Sequence, residues 1–203
     1  MKMNNSVFAG LLACIVLLPC CTPVLRAQAP VATAAGASLP LNAVLVLPRK
    51  FCKTVFKRGS FLAKRRDKFK VGKMACAELP LALTPIFQTL TVASAPPSSG
   101  DAQLVLLPKF TGEHATGSMF AFENRKMTVS LEWTTKDSAG RTIWSQTVQG
   151  SAKHHKGNMF THGHDVKLLV RDTVKDLAAQ SAAAMEAAPE LRNLTSAKAT
   201  PGN

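Results

Sequence analysis

The chain has 203 residues, of which 46% are hydrophobic, and it carries a formal net charge of +13. This length fits one domain with flexible ends, since domains commonly hold about 100 to 150 residues. The apolar runs inside the chain fall short of the roughly 20 residues that a membrane-spanning helix needs, which excludes a protein built from such helices. We therefore expect the mature chain to be soluble.

Residues 1–27 have the pattern of an export signal peptide. Lys2 lies in a short polar start, an apolar stretch runs from Val7 to Pro19, and Ala27 is a small residue suited to cleavage. A buried N-terminal helix is the alternative, but repeated prolines would interrupt such a helix. The sequence therefore predicts export.

Cys20 and Cys21 directly follow the apolar stretch, where a bacterial lipoprotein carries its lipidated cysteine. Pro19 departs from the small residue that lipoprotein processing prefers at this place. A lipid anchor would attach the exported protein to a membrane without altering its fold. An anchored lipoprotein and a free exported protein therefore both stay open.

Cleavage of the signal leaves Cys52 and Cys76 as the remaining cysteine pair. Disulfides persist in oxidising compartments, so we predict a bridge between the two, with a pair of buried thiols as the alternative. Closing this loop would contribute roughly 3 to 4 kcal/mol in the chain-entropy description. That is a large share of a typical folding stability of about 5 to 15 kcal/mol.

The chain divides into the signal, a spacer, one domain and a tail. Residues 28–40 are mostly small residues and proline, too poor in large apolar side chains to fold alone. Residues 41–194 form a single predicted α/β domain, with an insert at 49–73 that we call the basic arm. Residues 195–203 have the composition of a disordered tail.

Short apolar runs predict the first strands and a helix. Residues 41–47 predict a buried strand that ends at a proline. The pattern from 71 to about 90 predicts a helix, kinked or split by its two prolines, and residues 90–93 continue as a strand. Residues 103–107 predict a further short strand, which Pro108 ends.

The clearest strand pattern begins at Met127, from which apolar and polar residues alternate through residue 134. Residues 137–140 supply a turn, and residues 141–150 return with apolar side chains of their own. This part of the chain therefore predicts an antiparallel hairpin.

A helical period of three and four residues runs from Val166 to Met185. Asp165 is placed to cap this helix and Pro189 to end it. The simplest way to bury all of these apolar faces is an α+β fold, with a mixed, largely antiparallel sheet and two helices packed on one face.

The basic arm is the main candidate binding site. Its eleven Lys and Arg side chains face only one Asp, which makes a net +10 of the chain's +13. Their summed field attracts phosphate-bearing partners, and the phenylalanines between them could stack on a base or enter a lipid interface. We interpret the insert as a hairpin pinned at its base by the Cys52–Cys76 bridge, with a solvated loop that has no specific ligand as the alternative. The predicted anion-binding residues are Arg49, Lys50, Lys53, Lys57, Arg58, Lys64, Arg65, Arg66, Lys68, Lys70 and Lys73.

Four histidines, His154, His155, His162 and His164, define a second candidate site in a loop at 154–164. Histidine is a common ligand for zinc and copper. Two lysines in the same loop raise its positive charge, which opposes cation binding. We therefore predict a polar loop without a metal, and keep a periplasmic metal-dependent protein or enzyme as an alternative function.

The sequence contains no complete catalytic signature. It lacks a Gly-x-Ser-x-Gly elbow, a phosphate-cradling loop that ends in Lys-Ser or Lys-Thr, and a dinucleotide-binding fingerprint. A catalytic triad assembled in space leaves no such motif, so an enzyme stays an alternative. We predict no cofactor, and we assign Trp133 and Trp144 to packing.

In outline, the chain resembles small α/β envelope proteins of Gram-negative bacteria. The resemblance rests on the export signal, a strand that ends at Pro48, a helix that Val71 and Gly72 open, the Leu-Glu-Trp segment at 131–133 and a terminal helix. It covers roughly residues 41 to 190. The chain is similar in outline to the lipopolysaccharide-assembly lipoprotein family, which implies a non-enzymatic role in assembling, transporting or holding an envelope component.

These features together predict an exported, non-enzymatic accessory or binding protein, either periplasmic, associated with the outer membrane, or secreted. Its basic arm would engage an anionic envelope component, such as lipopolysaccharide or the membrane surface, or an envelope protein. A secreted binder of nucleic acid or of a host surface is the remaining alternative, and nucleic acid is the less favoured partner.

Overall fold

A computed structural model describes residues 39–59, 66–97, 102–116, 125–154 and 162–198. The predicted signal, most of the spacer and the end of the tail lie outside this part of the chain. Within it lie seven strands and four helices. The strands are β1 (Leu39–Val46), β2 (Phe56–Gly59), β3 (Arg66–Phe69), β4 (Phe87–Ala93), β5 (Leu104–Thr116), β6 (Arg125–Asp137) and β7 (Thr142–His154), and the helices are α1 (Arg49–Cys52), α2 (Val71–Leu83), α3 (His162–Ala187) and α4 (Pro189–Lys198).

Five strands form one mixed sheet in the order β4-β1-β5-β6-β7. β1 pairs in parallel with β4 and β5, whereas β5, β6 and β7 pair antiparallel. β2 and β3 form a separate antiparallel hairpin. The predicted α+β class with a mixed sheet is confirmed.

In β6, the side chains of one face are buried and those of the other face are polar, as its alternation predicts. Met127, Val129, Leu131 and Trp133 are fully buried, while the polar residues between them are half-buried. β6 pairs with β7 from Arg125 to Lys136, so the predicted hairpin is observed and is longer than expected. The sheet therefore has a core face and an open face.

A tight turn joins β6 to β7. The Asp137 carboxylate accepts hydrogen bonds from the backbone N–H groups of Ala139 (3.0 Å) and Arg141 (2.9 Å), and from the Arg141 guanidinium (2.8 Å). The Arg141 backbone hydrogen bond is the main reason why the pKa of the Asp137 carboxyl lies below its usual value. Gly140 has a φ of +80°, which glycine adopts without steric cost.

α3 covers the core face along β6 and β7. The Trp133 indole Nε1 donates a hydrogen bond of 2.9 Å to the Ser181 hydroxyl, which itself donates to the Leu177 carbonyl. At Gly150 the α3 backbone comes so close that a Cβ would overlap Leu177. α2 contacts both α3 and β4, which completes the helical layer. None of the described helices is long and apolar enough to span a membrane.

The C-terminal helix continues beyond the predicted domain boundary. α3 ends at Ala187, and Pro189 then begins α4, where a proline at the first helical position costs no hydrogen bond. α4 runs to Lys198, four residues past Leu194, and buries Leu191 against the core. It contacts β1 and β7, so it closes one end of the core face.

The predicted extent of the first helix is wrong, because α2 ends at Leu83 rather than near residue 90. Pro80 is accommodated inside the helix, and the Thr84 N–H still donates to its carbonyl oxygen at 2.9 Å. Pro85 then ends the series of hydrogen bonds along the helix, since it has no N–H to donate. The apolar residues from Phe87 onward pair in parallel with β1 instead, beginning opposite Leu39.

The strand predicted at residues 103–107, which is β5, is also longer than the sequence predicts. β5 continues through Pro108 to Thr116 and pairs with β6 over this whole length. β1 pairs with β5 only opposite residues 104–106, so beyond that point one edge of β5 pairs with no other described strand. A proline is tolerated at such an edge, where its missing N–H interrupts no hydrogen bond.

Candidate anion-binding arm

The basic arm folds as a short helix followed by a two-stranded hairpin. α1 occupies its start, and β2 and β3 pair so that Phe56 lies opposite Phe69 and Lys57 lies opposite Lys68. Neighbouring residues of a strand face opposite sides. The hairpin therefore turns an aromatic face toward the domain and a lysine face away from it.

The predicted disulfide is present at the base of the arm. Cys52, the last residue of α1, is bonded to Cys76 in α2, with a Cα–Cα distance of 5.7 Å. The Gly72 N–H donates to the Thr54 carbonyl oxygen at 3.0 Å, directly beside this bond. A Cβ at Gly72 would overlap the Phe51 carbonyl oxygen and lie 2.7 Å from the Thr54 nitrogen. The absence of a side chain at Gly72 therefore lets α1 pack against the start of α2.

Phenylalanines pack the arm against β5. The Phe51 ring stacks on the Phe110 ring at a centroid distance of 4.5 Å, and Phe56 meets the same ring edge-on at 5.8 Å. Phe69 is only 4% exposed. These rings hold the arm in place. Phe51 and Phe69 are buried and so are not free to contact a base or a lipid, which corrects that part of the sequence interpretation; Phe56 is half-buried, and Phe61 lies outside the described residues.

Seven cations of the arm have described side chains, and all seven are exposed. None of them forms an ion pair with another described residue. Lys64 and Arg65 lie outside the described residues, as do the side chains of Arg58 and Arg66. The seven exposed cations are Arg49, Lys50, Lys53, Lys57, Lys68, Lys70 and Lys73.

The loop predicted at 154–164 is shorter than expected, because His154 ends β7 and α3 begins at His162, and the structure gives His154 a partner. His154, the last residue of β7, places its Nε2 2.8 Å from the Asp172 Oδ2 on α3, and the Arg171 Nε donates to the Asp172 Oδ1 at 2.9 Å. His155 and the side chains of His162 and His164 lie outside the described residues. Among the described residues, no three His, Cys, Asp or Glu side chains come together as a metal site would require.

Asp172 is a carboxylate whose environment pulls its pKa in two directions. Burial raises the pKa of this carboxyl, but the hydrogen bonds and positive charges of Arg171 and His154 outweigh burial. The pKa of Asp172 therefore lies below its usual value, and the carboxylate stays charged beside His154. This arrangement binds the end of β7 to α3 rather than preparing an acid or base for catalysis.

A shallow groove lies between β7 and the junction of α3 and α4. Its volume is about 460 Å³, and Trp144, Gln146, Ala188 and Glu190 are among its walls. Glu190 is its only ionisable lining residue, so the groove holds no pair of groups for nucleophilic or acid–base chemistry. The groove adds no catalytic candidate to the arm.

The fold and the arm together define a small α+β domain that carries a basic hairpin, held by a disulfide and by aromatic contacts. No protein-family model and no curated protein matches the chain. Solved structures do match: a protein from Xanthomonas campestris at 8% identity and a TM-score of 0.48, covering 78% of this chain and 97% of the other. A minor lipoprotein from Acinetobacter baumannii matches at 13% identity and a TM-score of 0.44, covering 71% of this chain and 90% of the other. Lipoprotein B from Nitrosomonas europaea matches at 9% identity and a TM-score of 0.40, covering 77% of this chain and 93% of the other.

These neighbours include small lipoproteins of Gram-negative bacteria, the class that the sequence resembles. Their identities and TM-scores are too low to carry an activity, a ligand or a site residue to this chain. The site is therefore argued from the residues of the arm alone.

Sequence reasoning missed two residues on which the arm depends. Phe110 lies on β5 beyond the predicted end of that strand, so its place under the arm was hidden until the pairing with β6 was known. Gly72 was noted only as part of a helix start, because nothing in a sequence shows which backbone approaches a glycine.

Proposed function

We propose that this chain is an exported, non-enzymatic envelope protein whose basic arm binds an anionic component of the cell envelope, with the phosphate groups of lipopolysaccharide or of the membrane surface as the ligand chemistry. The observation that carries the proposal is the register of the hairpin, in which the exposed Lys57 and Lys68 lie directly opposite each other.

Two like charges at directly opposite positions of an antiparallel pair destabilise it. Side chains at such positions have their Cβ atoms about 4.5 to 5.5 Å apart, so one phosphate between Lys57 and Lys68 would contact both ammonium groups. Binding of an anion would therefore relieve the repulsion that the free hairpin carries. A loop that only aided solubility would have no need to align its charges in this way.

The contacts that hold the arm to the domain, which we call the clamp, favour binding because they fix the lysine face before a ligand arrives. The Cys52–Cys76 bond and the Phe51–Phe110 stack hold the start of the arm, and buried Phe69 holds its end. A preorganised site loses less conformational entropy on binding than a free loop does. The disulfide also supports export, since such bonds persist in oxidising compartments.

The test is co-sedimentation of the full chain with phosphatidylcholine vesicles, with or without phosphatidylglycerol, and with lipopolysaccharide. We expect the double variant Lys57→Glu, Lys68→Glu to bind anionic vesicles about 30-fold more weakly or worse, since each lysine near such a surface contributes about 1 kcal/mol. The variant keeps like charges opposite each other, so thermal unfolding should change little.

The matched control is Lys167→Glu with Lys175→Glu, which reverses two exposed lysines on α3. Equal affinity of the arm variant and this control would overturn the proposal. Stronger binding to an oligonucleotide than to anionic vesicles or lipopolysaccharide would replace it with the nucleic-acid alternative. Labelling of cells with a radioactive fatty acid, followed by envelope fractionation, separates a lipid-anchored protein from a free one.

A further inference from the structure

A second group of hydrogen-bond donors lies on the open face of the sheet, at the end where β5 and β7 finish and β6 begins. The strand registers align these residues in two rows that run across the three strands. The first row is Thr116, Lys126 and Lys153, and the second is His114, Thr128 and Ser151.

All six side chains share the open face. Met127 and Val129, the neighbours of Thr128 in β6, are fully buried on the core face, whereas Lys126, Lys153 and His114 are exposed. The core face also carries the contact with α3 and the Phe110 ring beneath the basic arm. The two rows therefore lie on the opposite side of the sheet from the residues that hold the arm.

Lys126 lies directly opposite Lys153, and neither row contains an acidic residue. Along β6, the nearest acid on this face is Glu132, about 20 Å from Lys126 at the usual rise of a strand, and it pairs with Lys109. Like charges at directly opposite positions cost sheet stability. Within the part of the chain that the structure describes, no ion pair involves Lys126 or Lys153, so the rows combine two ammonium groups with hydroxyl and imidazole donors.

We propose that these two rows bind the phosphate headgroups of an anionic lipid surface. Neighbouring strands are about 4.8 Å apart, and residues two apart along a strand are separated by about 7 Å, so the six residues form a flat array of donors. A flat array suits a layer of phosphates, whereas a single small anion is usually bound in a concave pocket. The proposal concerns a second region and does not rest on the function proposed for the basic arm.

The test uses full-length protein that carries Lys57→Glu and Lys68→Glu, so that the basic arm does not mask the second region. We expect this protein to retain binding to vesicles that contain phosphatidylglycerol. Adding Lys126→Gln and Lys153→Gln should weaken that binding about 30-fold, whereas adding Lys167→Gln and Lys175→Gln should leave it within about twofold.

The outcomes distinguish vesicle binding by the two rows on the open face, the second region, from vesicle binding by the basic arm. Complete loss of vesicle binding in the arm variant alone would overturn the second region while supporting the basic arm. Full binding in the arm variant, lost on changing Lys126 and Lys153, would support the second region and overturn the arm. Displacement of the vesicles by inorganic phosphate at low concentration would indicate a small-anion site, and tighter binding to an oligonucleotide a nucleic-acid site; either would overturn the lipid assignment.

A stability measurement provides an independent readout. Lys153→Glu places opposite charges across the β6–β7 pair, so we expect the melting temperature to rise by about 1 to 4 °C while vesicle affinity falls. Lys175→Glu on α3 is the control for a charge change elsewhere. A lower melting temperature together with unchanged vesicle binding would overturn the proposal.

Discussion

Gly72 is the residue on which the position of the basic arm most depends. It lies one residue into α2, and its N–H binds the Thr54 carbonyl oxygen while the Phe51 carbonyl oxygen occupies the space that a side chain would need. The neighbouring disulfide joins the same two segments. The absence of a side chain at Gly72 therefore allows α1 to approach α2 this closely.

Gly72→Ala should lower the free energy of unfolding by about 1 to 3 kcal/mol, the usual cost of forcing an extra carbon into a packed site. The atoms in the way belong to the backbone, so they cannot move aside as a flexible side chain would. Denaturant unfolding of the purified protein measures the effect. Gly112→Ala is the matched control, because a Cβ at Gly112 meets no atom within 4 Å; equal stability of the two variants would contradict this account of the clamp.

Asp172 gives the stability of the protein a dependence on pH. Its pKa is lower in the folded chain than in the unfolded chain, so its contribution is fully present above the unfolded value, near pH 4, and is lost as the pH falls through the folded value. We expect Asp172→Asn to lower the melting temperature at pH 7 and to flatten its fall below pH 4. Melting curves from pH 2 to pH 7 measure this, with the exposed Glu190→Gln on α4 as control. Parallel curves for wild type and Asp172→Asn would contradict the assignment.

The β2–β3 hairpin of the basic arm cannot bury enough surface to be stable alone. Two-stranded hairpins are marginal in water, and this one also carries like charges across its pairing. Its stability must therefore come from the aromatic contacts with Phe110, from the burial of Phe69 and from the Cys52–Cys76 bond. The arm should consequently be more sensitive to reduction than the five-stranded sheet.

Removing the disulfide with Cys52→Ser and Cys76→Ser should cost about 3 to 4 kcal/mol, the loop-closure value for a loop of this size. The change should also weaken binding to anionic vesicles, because the lysine face of the hairpin is then less fixed. Denaturant unfolding and vesicle sedimentation measure the two effects, and wild type in a reducing agent should behave like the variant. An unchanged unfolding midpoint after reduction would contradict this role of the bond.

The elements that were predicted correctly are those whose pattern is local. The β6–β7 hairpin follows from strict alternation around Trp133, and the body and end of α3 follow from a continuous stripe that ends before Pro189. The predicted start of α3 is wrong, because the helix begins at His162 and Asp165 lies in its first turn instead of capping it. The end of α2 and the full length of β5 depend on pairing with distant strands, which no local pattern reveals. Composition located the charge of the arm, but only the strand register shows that Lys57 faces Lys68.

The whole molecule has two sides. Helices and the base of the basic arm cover the core face of the sheet, while the open face carries Lys126 and Lys153 at one end. Of the chain's +13, +10 lies in the arm, so long-range attraction of an anionic surface should be strongest there. We therefore expect the arm to be the first part of the protein to meet such a surface.

Lysine footprinting tests this claim most directly. The full chain is treated with an amine-acylating reagent, free or bound to vesicles that contain phosphatidylglycerol, and the extent of reaction at each lysine is measured by mass spectrometry. We predict that Lys57 and Lys68 lose most of their reactivity in the bound state, while Lys167 and Lys175 on α3 keep theirs. Bound protein in which Lys57 and Lys68 react as readily as they do in solution would contradict it.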